Sequence, residues 1–566
     1  MKYVRNILTL VLLLIIQSAN SQSPAWAWAT SAGDINLDKS NGVYTDPSGN
    51  VYITGGFHSN TLAIGTSTLN NVGTASAVQF FIAKYDASGN PIWAKSAGGP
   101  RSDEGKNVTT DASGNIYVTG YFESDTIKFG SFNLYKTPND STSDIFIVKY
   151  DPSGNVLWAK SSGGNYYDYG DGISTDSNND VYLSGRFLSD TIKWGSFKLI
   201  NSGVALSIFG ADLYVVKFDT NGNPLWAQSA GGAGGEEATN IKVDNLNNVY
   251  LTGYYGSDSI QLGAFKLKNP SPSATNYSNV FLAQLTTGGT VNWAKSWGGM
   301  YTDLPNGIAT DAGGNIILTG RFYSKTFPIG TYTLTNADTS GTYYDSFTAK
   351  FNASGNVMWA KSAGGPDFDE GLSVTTDALG YVYTTGYYYS SACSFGTTNL
   401  INSGSAFTPN IFLAKYDPSG NLVYAFTPGG NSNDEGHGIT TDLSGNIYIT
   451  GFFKSNNTAF GSTTLPQVGG GDIFLAKIGV QPMGLAELAE KKSLLIFPNP
   501  NNGTFHVMVP EDAKEVLVYN ALGIHIGTYP FVNGSQNTFS IKESSGIYFV
   551  EVRTEKGMTR EKVVVE

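Results

Sequence analysis

Residues 115–122, NIYVTGYF, alternate in hydrophobicity, with Tyr117 and Thr119 on one face of an extended strand and Ile116 and Val118 on the other. The strand follows a turn headed by Asp111, and the whole stretch reads DASGNIYVTG. It returns as DPSGNVYITG from Asp46, DSNNDVYLSG from Asp176, DNLNNVYLTG from Asp244, DAGGNIILTG from Asp311, DALGYVYTTG from Asp377 and DLSGNIYITG from Asp442. The gaps between these aspartates are 65, 65, 68, 67, 66 and 65 residues. A period of that length marks a supersecondary unit that buries its core only against its neighbours.

One unit, from Trp93 to Asp151, predicts four strands: IWAKSAGG around Trp93, a short one over Asn107 to Thr110, Asn115 to Phe122, and DIFIVKY from Asp144 to Tyr150. The turns at Asp111 and Asp151 share Asp-x-Ser-Gly-Asn. There the carboxylate can take backbone amides and Gly supplies a positive φ. Four strands joined by hairpins make one propeller blade. The Trp strand recurs at Trp28, Trp93, Trp158, Trp226, Trp293, Trp359 and, with Tyr, at Tyr424. Six copies follow a DIFIVKY-like strand. Trp28 has none before it, and the last such strand, Asp472 to Ile478, has no Trp strand after it. The fold expected is therefore all-β: a seven-bladed β-propeller over residues 22–478, closed by the N-terminal strand. An open solenoid would leave both orphans as exposed edges.

The units, GNIYVTGYF followed by DIFIVKYDPSGNVLWAK, resemble the secreted bacterial β-propeller repeats (SBBP type). The resemblance implies a seven-bladed propeller and says little about activity, because propellers host unrelated functions. After the third strand come IKFGSFNL, IKWGSFKL and IQLGAFKL, expected as a strand or small hairpin covering the blade edge. Then come the most variable segments, such as Asn201 to Ala211 and Asn269 to Asn279, expected to project from one side as a binding face.

Residues 479–491 break the pattern and read as a linker, and residues 492–566 as a small β-sandwich. Its strands are expected at LLIFPNP, TFHVMVP, EVLVYNALG, FSIKE, IYFVEVRT and KVVVE. The segment resembles the C-terminal sorting domain of type IX secretion substrates in Bacteroidetes-type bacteria. The resemblance rests on Phe497-Pro498-Asn499-Pro500 with Gly503, Tyr519-Asn520 with Gly523, Gly546-Ile547-Tyr548, and Lys562-Val563-Val564-Val565. It implies Sec export, engagement of the type IX machinery, and release or attachment at the cell surface. Residues 1–21 fit that address. Lys2 and Arg5, an apolar run from Ile7 to Ile16 and Ala19-Asn20-Ser21 make a signal peptide with cleavage expected between Ser21 and Gln22. The apolar run is too short to span a membrane, and no other approaches that length.

Composition narrows the function. The chain carries a net charge of −12 without basic runs, which argues against nucleic acid and anionic membranes as partners. Its one cysteine, Cys393, sits where other repeats have Leu62, Ile127 and Ile192, and reads as apolar filler.

Three sets of residues could carry chemistry. Eight residues before each turn aspartate stands another acid: Asp38, Asp103, Asp168, Glu236, Asp303, Asp369 and Asp434. Either these accept loop amides, or they form a ring near the axis that binds a cation, calcium being the possible cofactor. Directly after the TG pairs come Gly56, Tyr121, Arg186, Tyr254, Arg321, Tyr387 and Phe452. Rings and guanidinium planes stack on flat or sugar-like ligands, or else pack between blades with Arg paired to an acid. His58 and His437, in the first and last repeats, could meet at the closure around a metal or lie apart on the surface. No HExxH, P-loop or GxSxG motif is present. The function expected is a secreted or surface binding or scaffold module that contacts a glycan or protein through the variable loops. The alternative is a carbohydrate-active hydrolase or lyase at the channel.

Overall fold

The computed structural model describes residues 25–74, 77–137, 142–203, 210–270, 277–338, 340–404, 407–479, 496–509, 512–520, 525–541, 545–554 and 557–565. The leader, with Ser21 and Gln22, lies outside the described residues, as do Gly523 and residues 480–491 of the linker. The chain divides into two compact units, Met1–Val480 and Gln481–Glu566. Its described residues form strands and no helix.

The first unit holds seven four-stranded antiparallel sheets and seven two-stranded hairpins. In the second sheet, Asp103–Thr110 is the inner strand, followed by Ile116–Phe122, Asp144–Tyr150 and Val156–Ser162. The inner strand is longer than the periodicity predicts. Its register shifts between Gly105 and Asn107, so a bulge at Lys106 breaks the alternation and hides the first half. The segment from Thr126 forms a hairpin, Thr126–Phe129 with Phe132–Tyr135. The N-terminal strand Trp26–Ala32 pairs with Asp472–Ile478 and becomes the outer strand of the seventh sheet. Each inner strand packs against that of the next sheet, and Asp434–Thr441 of the seventh packs against Asp38–Thr45 of the first.

The core lies between the sheets. Phe80, Ile82, Val118, Phe122, Phe146 and Val148 share one buried cluster drawn from two neighbouring sheets. A tryptophan latch repeats at the rim. Trp93 Nε1 donates to Pro152 O of the next sheet at 3.3 Å, and its ring lies where a Cβ on Gly154 would stand. Trp28 makes the same contact across the meeting of the two chain ends, with Ala87 O at 3.3 Å and against Gly89.

The inner turns are held by their own side chains. Asp111 accepts the amides of Ser113 and Asn115, both at 2.9 Å, the Asn115 side-chain amide at 2.8 Å and the Tyr117 hydroxyl at 3.0 Å. Gly114 sits there at φ 80°.

The second unit has a three-stranded sheet and a four-stranded sheet around one core that includes Phe505, Val516, Phe539, Val550 and Val563. It contains a strand that the apolar pattern does not announce, His525–Thr528, which pairs through Leu517, Val518 and Tyr519. The sorting-motif residues gather from both ends of the segment. Asn499, between Pro498 and Pro500, donates to Lys562 O at 2.7 Å and accepts Val564 N at 2.8 Å. Gly503 N donates to Asn501 Oδ1 at 2.8 Å, while Gly546 and Tyr548 pair with Val565 and Val563.

Candidate functional site

The inner strands carry the residues that do not repeat. Each has a bulge three residues after its leading acid, and the bulged residues are Asn41, Lys106, Asp171, Asn306, Leu372 and His437, with Ala238 and Thr239 together in the fourth strand. A bulge re-aims a side chain that regular pleating would send into the sheet packing. Here Asn41, Lys106, Asp171, Thr239, Asn306, Leu372 and His437 all line one central cavity of about 460 Å³. On the turn side, Lys242 of the fourth inner strand sets its ammonium 5.9 Å from the centre of the Tyr44 ring on the first. Two non-adjacent sheets thus meet across the cavity.

At the opposite, loop-side end, cations and acids join alternate sheets. Lys39 meets Glu104 at 3.1 Å, Arg186 pairs with Glu237, and Arg321 meets Glu370 at 2.8 Å. Seven is odd, so Glu435 of the seventh sheet has no such partner among the described residues and takes His437 Nε2 at 3.0 Å. His437 Nδ1 lies 3.0 Å from Ser40 O of the first sheet. Burial pushes the Glu104 carboxyl up, but Lys106 and Lys39 outweigh it and hold the group well below the usual carboxylate range.

The expected rosette is split by these pairs. The hydroxyls of Tyr121 and Tyr254 donate to Glu104 and Glu237, each at 2.8 Å. Tyr387 donates to Glu370, which also holds Arg321, and the Arg321 guanidinium lies 4.7 Å from the Tyr344 ring centre. Phe452 packs on His437 with ring centres 5.5 Å apart. Arg186 and Tyr254 alone among the set line a second depression, of about 510 Å³, with Tyr167, Tyr169, Leu188 and Leu304. Ala211 and Ser278, from two of the variable segments, border it. The Arg186 guanidinium lies 4.6 Å from the Tyr169 ring centre, Tyr167 runs parallel to Tyr169 at 6.4 Å, and Tyr167 is 39% exposed.

The seven repeated acids are not gathered at the axis. Each is buried in the loop region of its own sheet and receives a serine 21 residues on: Ser59, Ser124, Ser189, Ser257, Ser324, Ser390 or Ser455. Asp168 shows the pattern, with Ser189 Oγ at 2.6 Å, Ser189 N at 3.1 Å and Gly164 N at 3.0 Å. Burial raises all seven: Asp103 to about 6, Glu236 and Asp303 to about 7, Asp168 and Asp369 to about 8, and Asp38 and Asp434 in the same direction. Among the described residues no group of three or more His, Cys, Asp or Glu is placed to hold a metal. His58 and His437 do not share a site; the His58 amide bonds Asp38 while His437 faces the cavity. Cys393 is buried in apolar core, and burial pushes its thiol up.

The bulge ring escapes a search for repeated acids and stackers. Its signal is present nonetheless: three residues after each acid the sequence reads Asn, Lys, Asp, Thr, Asn, Leu, His, while much around it repeats.

Comparison with known families fits this architecture. Residues 495–566 match the model of the secretion system C-terminal sorting domain, and residues 92–121 and 429–452 match that of the beta-propeller repeat, SBBP. The chain thus carries the SBBP beta-propeller repeat and, at its C-terminal end, a type IX sorting domain. That domain marks it for export to a secreted or cell-surface location. The chain is similar to "Uncharacterized WD repeat-containing protein L264" of Acanthamoeba polyphaga mimivirus, 25% identical over 449 residues, covering 66% of this chain and 32% of that one. It is also similar to "Regulatory protein FlaEY" of Caulobacter vibrioides, 26% identical over 336 residues, covering 53% of this chain and 34% of that one. The chain thus spans about a third of the length of these curated relatives. Among solved structures, the Neurospora crassa Pan2 WD40 domain is 7% identical, with a TM-score of 0.36, covering 80% of this chain and 97% of that one. A Synechocystis apocarotenoid oxygenase mutant is 10% identical, with a TM-score of 0.32, covering 80% and 96%.

Proposed function

We propose that this protein is a non-catalytic, glycan-binding module that works outside the cell. Its seven sheets are the blades of one closed propeller, with the N-terminal strand completing the seventh, and its sorting domain is a β-sandwich that engages the type IX machinery. The seven four-stranded sheets and the cyclic packing of their inner strands support the blade count.

The observation that carries the glycan reading is the depression over the third to fifth sheets. A pyranose offers an apolar face for stacking and hydroxyls for hydrogen bonds. The exposed ring of Tyr167 supplies a platform, Leu188 and Leu304 supply apolar walls, and Arg186 with Glu237 supplies polar groups beside it. Binding is favoured over hydrolysis because Glu104, Glu237 and Glu370 are each engaged by a cation and a tyrosine hydroxyl, so none offers a free carboxyl to a glycosidic bond.

A glycan array on the purified mature chain, repeated with Tyr167→Ala, tests the reading. Loss of one stacking platform, worth about 1 kcal/mol, weakens a bound glycan by about fivefold. Undiminished binding by the variant, or no glycan bound by the parent chain, overturns it.

A further inference from the structure

The bulge position has a regular task in alternate sheets. Asn41 Nδ2 donates across to Gly105 O of the second sheet at 2.8 Å, and Asn306 Nδ2 to Gly371 O of the sixth at 2.9 Å. Both amides also reach the neighbouring acid, Glu104 or Glu370, at 2.8 Å. Asp171 of the third sheet stands at the same position between these two, and a carboxylate has no proton to donate to a carbonyl. Its neighbour acid, Glu237, is already held by Arg186 and Tyr254. Asp171 Oδ2 is buried and meets no hydrogen-bond donor among the described residues.

A buried acceptor without a donor is costly, and a buried charge more so. The nearby cations are committed elsewhere. Lys106 lies 3.2 Å from Glu104, and Arg186 pairs with Glu237. Desolvation raises the Asp171 carboxyl in spite of both. The other wall residues of the bulge ring are the neutral Thr239 and Leu372, the amides, and His437, which faces Ser40 O and Glu435. The cavity, at about 460 Å³, is within the range that encloses small molecules.

We infer that Asp171 is the anchor of a second binding site, in the central cavity, for a small molecule bearing a primary ammonium group. Reaching the carboxyl from the cavity side, the ammonium supplies a donor and a positive charge that is not already shared with another acid. The cavity walls then hold the rest of a compact polar ligand. This site is separate from the aromatic depression, and its test is independent of any glycan.

The test uses the full mature chain at neutral pH, with ethanolamine and lysine as probes and ethylene glycol as the uncharged counterpart. Thermal unfolding and calorimetric titration are read on the parent chain and on Asp171→Asn. Asparagine stands at this bulge in the first and fifth sheets, so the variant keeps the fold and gains the cross-sheet donation that its carboxylate forgoes. The expected result has three parts. The amines raise the melting temperature of the parent and the diol does not. The affinity falls at least tenfold in D171N. Free of ligand, D171N melts at or above the parent. Stabilisation by amines that persists in D171N, equal stabilisation by the diol, or no response to either amine overturns the inference. A ligand-free D171N that melts well below the parent also overturns it, because Asp171 would then already have its partner within the protein.

Discussion

Each inner strand begins at one carboxylate and ends at another, and the two ends use the same group in opposite ways. In the fifth sheet the strand runs from Asp303 to Thr310, with Asp311 just beyond it. Asp303, on the loop side, is buried among a serine and backbone amides with no cation beside it, and burial raises it to about 7. Asp311, on the turn side, accepts Gly313 N and Asn315 N, each at 2.9 Å, and meets Lys350 at 2.8 Å. Burial pushes the Asp311 carboxyl up too, but Lys350 and the turn's donors outweigh it and leave the group lowered. A carboxylate with a cation is a fastener at neutral pH. One buried deeply with neutral donors alone is a fastener that burial shifts toward its protonated form.

The turn side should therefore be the costlier to damage. Lys350 is 2% exposed, and Asp311→Ala leaves its ammonium buried without its counter-ion while freeing two turn amides. The expected loss is about 3–5 kcal/mol in urea unfolding at pH 7. Asp311→Asn, which keeps an acceptor for the turn amides, should lose less. A loss under about 1 kcal/mol for the alanine variant would make the two ends energetically alike and erase the contrast.

The loop side should show itself in pH dependence, with the opposite sign. Asp345 and Asp369 face each other across adjacent sheets, raised by burial to about 7 and about 8, and each pushes or is pushed by neighbouring carboxylates. In the unfolded chain both titrate near 3.8. Between about pH 4 and pH 8 the folded state keeps protons that the unfolded state releases. Their contribution is whole below the unfolded value and is lost as pH rises through the folded values. Stability should fall across that window and level off above it. Asp345→Asn is the sharper form of the experiment. Asn279 and Asn410 already occupy the equivalent position in other sheets, and Asp345 Oδ1 accepts no hydrogen bond among the described residues. The variant should flatten the slope and gain about 1–3 kcal/mol at pH 8. An unchanged slope would remove the paired carboxyls as its source.

The same division explains what was legible in the sequence. Whatever every sheet needs is repeated, and repetition is visible: the Asp111 turn, the NIYVTG strand, the tryptophan latch and the stray strand at Trp28. The sorting motifs were equally plain, while the segment at Thr126 could be read only as a strand or a small hairpin and is the latter. The leading half of each inner strand was not, because the bulge at Lys106 breaks the period on which the reading relies. The partners of the candidate residues were hidden for a different reason. Arg186 and Glu237 belong to different sheets, and spacing along the chain carries no trace of such a pairing until the sheets are stacked. The serine 21 residues after each acid is the exception, because it repeats in all seven units. Thus Arg186 and Arg321 look equivalent in sequence, yet one borders an open depression and the other is held between Glu370 and Tyr344.

The smallest effect tests whether the turn side is as uniform as it looks. Asn179 and Asn247 adopt φ 64° and 63° where most repeats have glycine. Such a conformation costs a side chain about 1 kcal/mol, and asparagine is among the residues that tolerate it. Each also reaches the preceding turn. Asn179 Oδ1 accepts Ala112 N at 3.0 Å, and Asn247 Oδ1 accepts Ser177 N at 3.0 Å. These two bonds tie the second, third and fourth turns into a short ladder. Asn179→Gly relieves the backbone and breaks one rung, so the two effects oppose each other. The net change in unfolding free energy should lie within about 0.5 kcal/mol of zero. Amide exchange separates the terms, because Ala112 N should lose protection even where global stability is unchanged. If Ala112 N stays protected in the variant, the ladder is incidental, and every turn stands on its aspartate alone.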